Sequence, residues 1–504
     1  MHSDEITRLI SQGQGLKVAF ARRTSPAYIN ERAVIESLTC LANGEGGTLC
    51  IGVDQDGTVS GCYPFHSNET DPHALESMIK RHTSPPLASH VDVVQIDGEE
   101  VVAITVEPSL TPVATRWGVY RARRLNTQGI AECHGMDPTY LFTRYRDANG
   151  IDWARIPATG ATEDDLDPAA FDAWRELIAA SDGDPVLAEL SDDDLVRALG
   201  LRDDSIEPIT LGAVLLFGTP DAIARHLPYH RIVFVEVGTM RRTLRSSAAL
   251  AIFLNDLHKQ SEKLGVPVKE LVVNAVTHRD YFLPQAIYVS TDDKRTSVTS
   301  PGGFPRGVTG DKACSSTATY APRSLVLSTA ISRSGIATGA GLGLMKVTTE
   351  QLQAGHPAPT FQGTHDQAVT VTVSHTLVDD QLPHIIASSP EPLSLDALHI
   401  VHYFHTHPEA SDEEAATATQ LSVSEVLAVC QRWPVFRRQA AGVDDSPEAR
   451  VVQFIAGQGE ATSGDVATAM QVSQQRAYRL LKKLVDQGRL EKTGQTRTTR
   501  YRLP

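Results

Sequence analysis

The stretch KELVVNAVTHRDY, residues 269–281, spaces Glu270, Asn274 and His278 four apart, so on a helix a carboxylate, an amide and an imidazole share one face. Leu271, Val272, Val273 and Val276 give the same helix apolar surface to bury. Polar groups beside such a surface cost free energy unless they meet a ligand or one another. The residues alone leave two outcomes open: a site for a polar ligand, or a buried polar network holding the helix against a sheet.

Other residues invite chemistry less specifically. GAGLGL places Gly339, Gly341 and Gly343 before a helical stretch, and glycine lets backbone amides approach phosphate closely. Asp54 and Asp56 stand in DQDG, which is an ordinary hairpin turn as well as a pair of carboxylates. His399, His402, His405 and His407 have no carboxylate or cysteine at ligand spacing, and they flank a core stripe of Leu398, Val401 and Phe404. No metal is expected there. The six cysteines are scattered without CxxC or Cys/His spacing, so we expect small core residues rather than a zinc site or disulfide framework.

The elements that must position these residues follow from length and pattern. A chain of 504 residues is too long for one core and implies about three or four domains. With no apolar run near the ~20 residues of a membrane helix, and no basic-then-apolar N-terminus, the expectation is a cytoplasmic protein with no membrane partner. Residues 1–145 read as one α+β domain with glycine-turn hairpins. Residues 146–207 read as an acidic helical connector, 208–378 as an α/β unit, and 390–437 as a helical, winged-helix-like block with an acidic DEEAA stretch suited to dimerisation or docking.

Residues 446–504 give the clearest local signal. Three helices precede a hairpin, and the third has an inner face of Ala477, Leu480, Leu481 and Leu484 behind the N-cap Ser473. Its outer face and flanks hold Gln474, Gln475, Arg476, Arg479, Lys482 and Lys483, and the wing carries Arg497 and Arg500, for which the sequence shows no acidic partners nearby. On a chain of net charge −15 this is a local basic patch, as a winged helix needs to enter a major groove and touch phosphate. A protein-docking winged helix is the alternative.

LANGEGGTLCIGVDQDGTVSG, GVYRARR, LGAVLLFG, NAVTHRDY, SPGGFPRGVT and GAGLGLMKV occur in an order that resembles a bacterial family. Its members combine a Schlafen/AlbA-type domain, a divergent GHKL-type ATP-binding domain and C-terminal winged helices. The implied fold class is α+β multidomain: an N-terminal Schlafen/AlbA-like α+β domain, a central GHKL-like α/β sandwich and a winged helix. The resemblance implies ATP and Mg²⁺ as cofactors, with Glu270 orienting water and Asn274 completing the metal shell. It extends the nucleotide site to His278, Arg279, Asp293, Gly302, Gly303, Arg323, Gly339, Gly341 and Gly343. SPGG lacks the family's adenine aspartate, and Arg323-Ser324-Leu325 replaces its "RNP". For the first domain it implies nucleic-acid binding through Arg22, Arg23, Arg121, Arg123 and Arg124. Gln14 and Ala19 replace the glutamates of nuclease relatives, and no GxxxxGK[ST] loop is present, so neither nuclease nor helicase activity is expected. The expected function is a nucleotide-responsive DNA-binding regulator, a homo-oligomer whose partners are DNA and nucleotide. A slow ATPase or nucleic-acid-processing defence enzyme, or a scaffold that has lost its ligand, are the alternatives.

Overall fold

The computed structural model describes residues 2–22, 31–66, 69–126, 129–202, 209–237, 241–305, 308–315, 321–337, 341–389, 391–433, 450–452, 454–455, 460–470, 472–486, 489–493 and 499–502. The chain divides into two compact units, residues 1–377 and 378–504.

In the first unit, α1 (Ser3–Ser11), β1 (Val18–Ala21), α2 (Glu31–Asn43), β2 (Gly47–Ile51), α3 (Pro72–His82), β3 (Ser89–Ile96) and β4 (Glu99–Val106) form the N-terminal domain. Its sheet runs β1-β2-β4-β3, with β1 and β2 parallel and the other pairs antiparallel. Alternation in β4 sends Val102, Ile104 and Val106 into one core with α2 and α3, and Val101 and Ala103 into a second with Ile6 and Ile10 of α1. A hairpin of β5 (Arg121–Leu125) and β6 (Ala131–Gly135) lies beside α2 and leads to α4 (Pro138–Ala148). Here the reading of the cysteines is corrected: Cys40 of α2 and Cys133 of β6 form a disulfide across 93 residues, a pairing that spacing could not reveal. Cys50, Cys62 and Cys314 are buried and outside the disulfide.

The central sheet is built from β7 (Ile232–Val237), β8 (Arg241–Ser246), β9 (Ile287–Thr291), β10 (Arg295–Pro301) and β11 (Ala368–Ser374), in the order β8-β7-β9-β10-β11. Helices α5 (Pro168–Ala180) and α6 (Leu211–Phe217) precede it in the chain, and its further long helices are α7 (Leu250–Lys259), α8 (Val266–His278), α9 (Leu325–Arg333) and α10 (Gly343–Gln353). Gly265, at φ +77°, turns the chain into α8, and Pro267 suits the first turn because its missing N–H has no helical partner to lose. The segment expected to be a connector is part of this core. Trp153, Phe171, Trp174 and Leu177 join Leu250, Leu254, Val272 and Val276 in one hydrophobic cluster, and Phe171 stacks on Phe217 with ring centres 4.3 Å apart. Its acidic residues sit on the outer faces and at helix starts, as with Ser191 capping Asp192–Ala198, so composition hid an apolar inner face.

In the second unit, α11 (Leu395–Thr406), α12 (Asp412–Thr419) and α13 (Val423–Arg432) pack around Ile400, Phe404, Ala415 and Val426. Strand β12 (Glu460–Ala461), α14 (Ser463–Ala469), α15 (Gln474–Asp486), β13 (Glu491–Thr493) and β14 (Arg500–Arg502) follow, with sheet order β12-β14-β13. This is the winged-helix layout; its core holds Val451, Ile455, Val466, Ala477, Leu481, Leu484 and Tyr501. The architecture is α+β multidomain, as the pattern of elements leads one to expect.

Candidate functional site

Asn274 and His278 lie on the face of α8 that looks into a cavity of about 110 Å³. Val298 and Ser300 of β10, Val369 and Val371 of β11, the Gly302–Pro305 turn, Arg323, and Gly341 and Leu344 complete its wall. Burial, and secondarily the Arg323 cation, push the His278 imidazole down to about 4, so it is neutral in the ordinary pH range. The Ser300 hydroxyl donates to the Ala275 carbonyl at 3.0 Å, stitching β10 to the helix. Arg323 donates to the carbonyls of His278 at 3.0 Å and Gly303 at 2.5 Å. Gly302, at φ +100°, leaves room for this, since a Cβ there would come within 2.9 Å of the guanidinium.

Glu270 does not line the cavity. It is 4% exposed and accepts a hydrogen bond from Lys346 of α10 at 2.8 Å. Sequence reasoning missed Lys346, whose only signal is its place three residues after Gly343. Gly343 itself brings α10 onto α8, and a Cβ there would lie 3.8 Å from the Glu270 carboxylate and 4.0 Å from the Asn274 amide carbon. Gly341 reaches the cavity, whereas Gly339 lies outside the described residues.

Two residues of the expected site serve other ends. Arg279 is fully buried and donates to the carbonyls of Tyr229, Arg231, Leu283 and Gln285 at 2.5–3.3 Å, so its guanidinium anchors loops and faces no ligand. Asp293 is exposed at the tip of the β9–β10 hairpin, at the other end of β10 from Ser300 and the glycine turn. Asp280, which closes the same motif and which the sequence offers as an ion-pair partner for a basic group, is a hub. Its 2%-exposed carboxylate accepts from Thr143 at 3.1 Å and lies 3.8 Å from Arg146 of α4 and 3.9 Å from Arg323.

For the implied ATP and Mg²⁺, the donor set decides the fit. The apolar walls and the Asn274, Ser300 and Arg323 side chains suit a ring bearing polar edges. Asn274 is the side chain that would give a magnesium ion an oxygen there, with phosphate oxygens supplying the rest. Among the described residues no lining side chain is a carboxylate, and no group of three or more His, Cys, Asp or Glu is placed to hold a metal ion. Of the four histidines on and beyond α11, His405 pairs with Asp379 at 2.8 Å and His402 is buried.

The basic surfaces fare differently. On α15, Gln474, Gln475, Arg476, Arg479, Lys482 and Lys483 are all exposed, opposite the buried Ala477, Leu481 and Leu484. The expectation of unpartnered wing arginines is corrected: Arg500 pairs with Glu460 at 2.8 Å and Arg502 with Glu491 at 2.9 Å, partners brought from other strands of the small sheet. Both pairs are about half exposed, which limits their strength. Arg497 lies outside the described residues. The N-terminal arginines divide between internal and exposed partners. Arg123 donates to the carbonyls of Gly15 and Val18 at 2.6 and 3.2 Å, and Arg124 binds Asp366 at 2.5 Å and stacks on Tyr140. Arg121 pairs with Glu36 and Arg22 with Asp54, while Arg23 lies outside the described residues. Internal acceptors, invisible in a one-dimensional run of arginines, claim Arg123 and Arg124, whereas the pairs of Arg121 and Arg22 leave those side chains exposed.

Comparisons with known proteins follow these divisions. A Schlafen, AlbA_2 family model matches residues 17–131, and a model for a domain of unknown function matches 142–233. The model described as ATP-dependent DNA helicase recG C-terminal matches 285–373, and a MarR family model matches 441–500. No curated protein matches the chain. Among solved structures, the DIP2311 protein from Corynebacterium diphtheriae is similar over 99% of both chains, with 20% identity and a TM-score of 0.45. No helix among the described residues is long and apolar enough to cross a membrane. The chain carries, in order, a Schlafen/AlbA_2 domain, an ATPase-like domain of the recG C-terminal kind and a MarR-type winged helix.

Proposed function

We propose that the protein is a nucleotide-responsive DNA-binding regulator, with DNA held by the winged helix and a nucleotide in the central cavity. The observation that carries the DNA reading is the face of α15, where polar and cationic side chains stand exposed at helical spacing over a buried Ala477–Leu481–Leu484 seam. The nucleotide reading rests on the cavity at Asn274 and on the relationship of residues 285–373 to an ATPase-like family. ATP is the ligand that relationship implies, with magnesium at Asn274. Binding is favoured over hydrolysis, because Lys346 occupies the carboxylate of Glu270 that would orient water. The working form in this reading is a cytoplasmic homo-oligomer, which sedimentation on a duplex with two half-sites would test.

Fluorescence anisotropy with a labelled duplex, with and without nucleotide and Mg²⁺, tests the core of the reading. The expected result is a nucleotide-dependent change in affinity that disappears in Asn274→Ala. Affinity that ignores nucleotide would reduce the protein to a plain DNA binder, and no retention on DNA would leave α15 a protein-docking face.

A further inference from the structure

The β5–β6 hairpin stands outside the four-stranded sheet of the N-terminal domain, as a two-stranded unit of its own. Among its strand residues Ala122 alone is buried, so the hairpin has almost no apolar core and depends on discrete links. Several run from β5: Asn43 of α2 donates to the Arg121 carbonyl at 2.7 Å, Arg123 reaches the carbonyls of Gly15 and Val18, and Arg124 pairs with Asp366. Strand β6 is joined to α2 covalently, by the Cys40–Cys133 disulfide.

The domain's own core does not need this bond. Ile35, Leu38 and Leu41 of α2 pack with Leu49, Ile51, Val102 and Ile104 of the sheet. Cys40 is 1% exposed, a position that a thiol also fills as a small apolar residue. Cys133 is half-buried, which makes it the end that a small thiol reaches. A crosslink between a self-sufficient core and a hairpin without one acts on the hairpin's anchoring and not on the fold. The hairpin in turn reaches the cavity, because Arg124 holds the Asp366 side chain and the Asp366 carbonyl accepts from Gly303 of the turn at 3.0 Å.

We propose that Cys40 and Cys133 form a reversible thiol–disulfide switch, which fastens the β5–β6 hairpin when oxidised and loosens it, together with the Gly302–Gly303 turn, when reduced by a small thiol. A thiolate attacks the Cys133 sulfur, the S–S bond breaks, and the Cys40 thiolate leaves and takes up a proton. A second thiol then displaces Cys133 from the mixed disulfide. Two small thiols thereby give up two electrons and two protons to the protein and become a disulfide themselves. Hydrogen exchange of the full chain in glutathione buffers poised oxidised and reduced tests the switch, with thiol labelling to score each cysteine. In the reduced buffer, without denaturant, Cys40 and Cys133 should become labelled. Exchange at 121–125 and 131–135 should quicken about tenfold or more, as loss of a crosslink allows. Exchange at 302–303 should quicken with it, that at 47–51 and 99–106 should stay slow, and reoxidation should reverse the change. The hairpin of a Cys40→Ala, Cys133→Ala chain should exchange quickly in both buffers, whereas Cys430→Ala should respond like the wild-type protein. Labelling of both cysteines in the oxidised buffer, reduction that needs denaturant, or reduction that leaves hairpin exchange unchanged would each overturn the proposal. Loosening that spreads to 47–51 and 99–106 also overturns it, since the bond would then staple the whole domain. So does a redox response that survives in the double-cysteine variant, which would belong to other cysteines.

Discussion

At the scale of single residues, Arg279 and His278 show how adjacent positions in one motif divide between structure and site. Arg279→Met would remove the donors to four carbonyls at once while keeping much of the volume. Each buried acceptor left without a partner costs about 1–3 kcal/mol. We expect the first unit to be destabilised by at least about 3 kcal/mol in urea unfolding, and a change below about 1 kcal/mol would mean water replaces the guanidinium. The histidines give a pH signature. Burial pushes both His230 and His278 down to about 4, so between the ordinary value near 6.5 and about 4 the unfolded chain binds protons that the folded chain does not. Stability from these groups is therefore complete above about pH 6.5 and is lost as pH falls through about 4. A melting temperature that declines over this window, with a shallower decline in His230→Gln, is the expected result. The spacing of Glu270, Asn274 and His278 was legible, and two of the three do line one cavity. What could not be read was which polar groups find protein partners, since Lys346 lies 76 residues from Glu270 and the carbonyls around Arg279 come from two separate loops.

At the scale of elements, α15 was the most legible because its pattern is local. Ala477, Leu481 and Leu484 repeat at helical spacing, and three-residue helix steps carry Arg476, Arg479 and Lys482 along the opposite face. Replacing Arg479 and Lys482 by alanine is expected to weaken DNA binding and to reduce the slope of log affinity against log salt by about one for each phosphate no longer neutralised. Arg500→Ala should cost less, because that side chain must first leave Glu460 to meet a phosphate. Anisotropy titrations from low to physiological salt separate these outcomes, and equal effects at Arg479 and Arg500 would mean the wing pair is open in the complex. The connector failed as an element reading for a related reason: its acidic residues are plentiful and exposed, whereas its apolar face is only recognisable once Trp153, Phe171 and Trp174 have a sheet and helices to pack against. Pairing across the sheets was legible where a DG turn fixed a hairpin, and not where β10 takes β11 as a neighbour from 67 residues further on.

At the scale of the whole first unit, two polar routes connect the cavity with residues 121–148. Arg124 of β5 binds the side chain of Asp366, whose carbonyl accepts from Gly303 at 3.0 Å, and the Gly303 carbonyl accepts from Arg323. Thr143 and Arg146 of α4 meet Asp280, which faces the same Arg323. None of this follows from a linear reading, because each link joins segments far apart in the chain. A ligand that engages Arg323 therefore acts on groups tied to both β5 and α4, and it can shift their opening only if it binds the closed arrangement more tightly. Hydrogen exchange measured with and without saturating nucleotide gives the test. Slowing is expected at residues 300–305 and, through the two routes, at 121–125 and 138–148 as well. In Arg124→Gln, which touches no cavity-lining residue directly, the slowing at 121–125 should vanish while that at 138–148 persists, since the Asp280 route is intact. Slowing confined to 300–305 in the wild-type protein would show that these links are static supports, and any nucleotide response on DNA would then have to arise without the N-terminal domain.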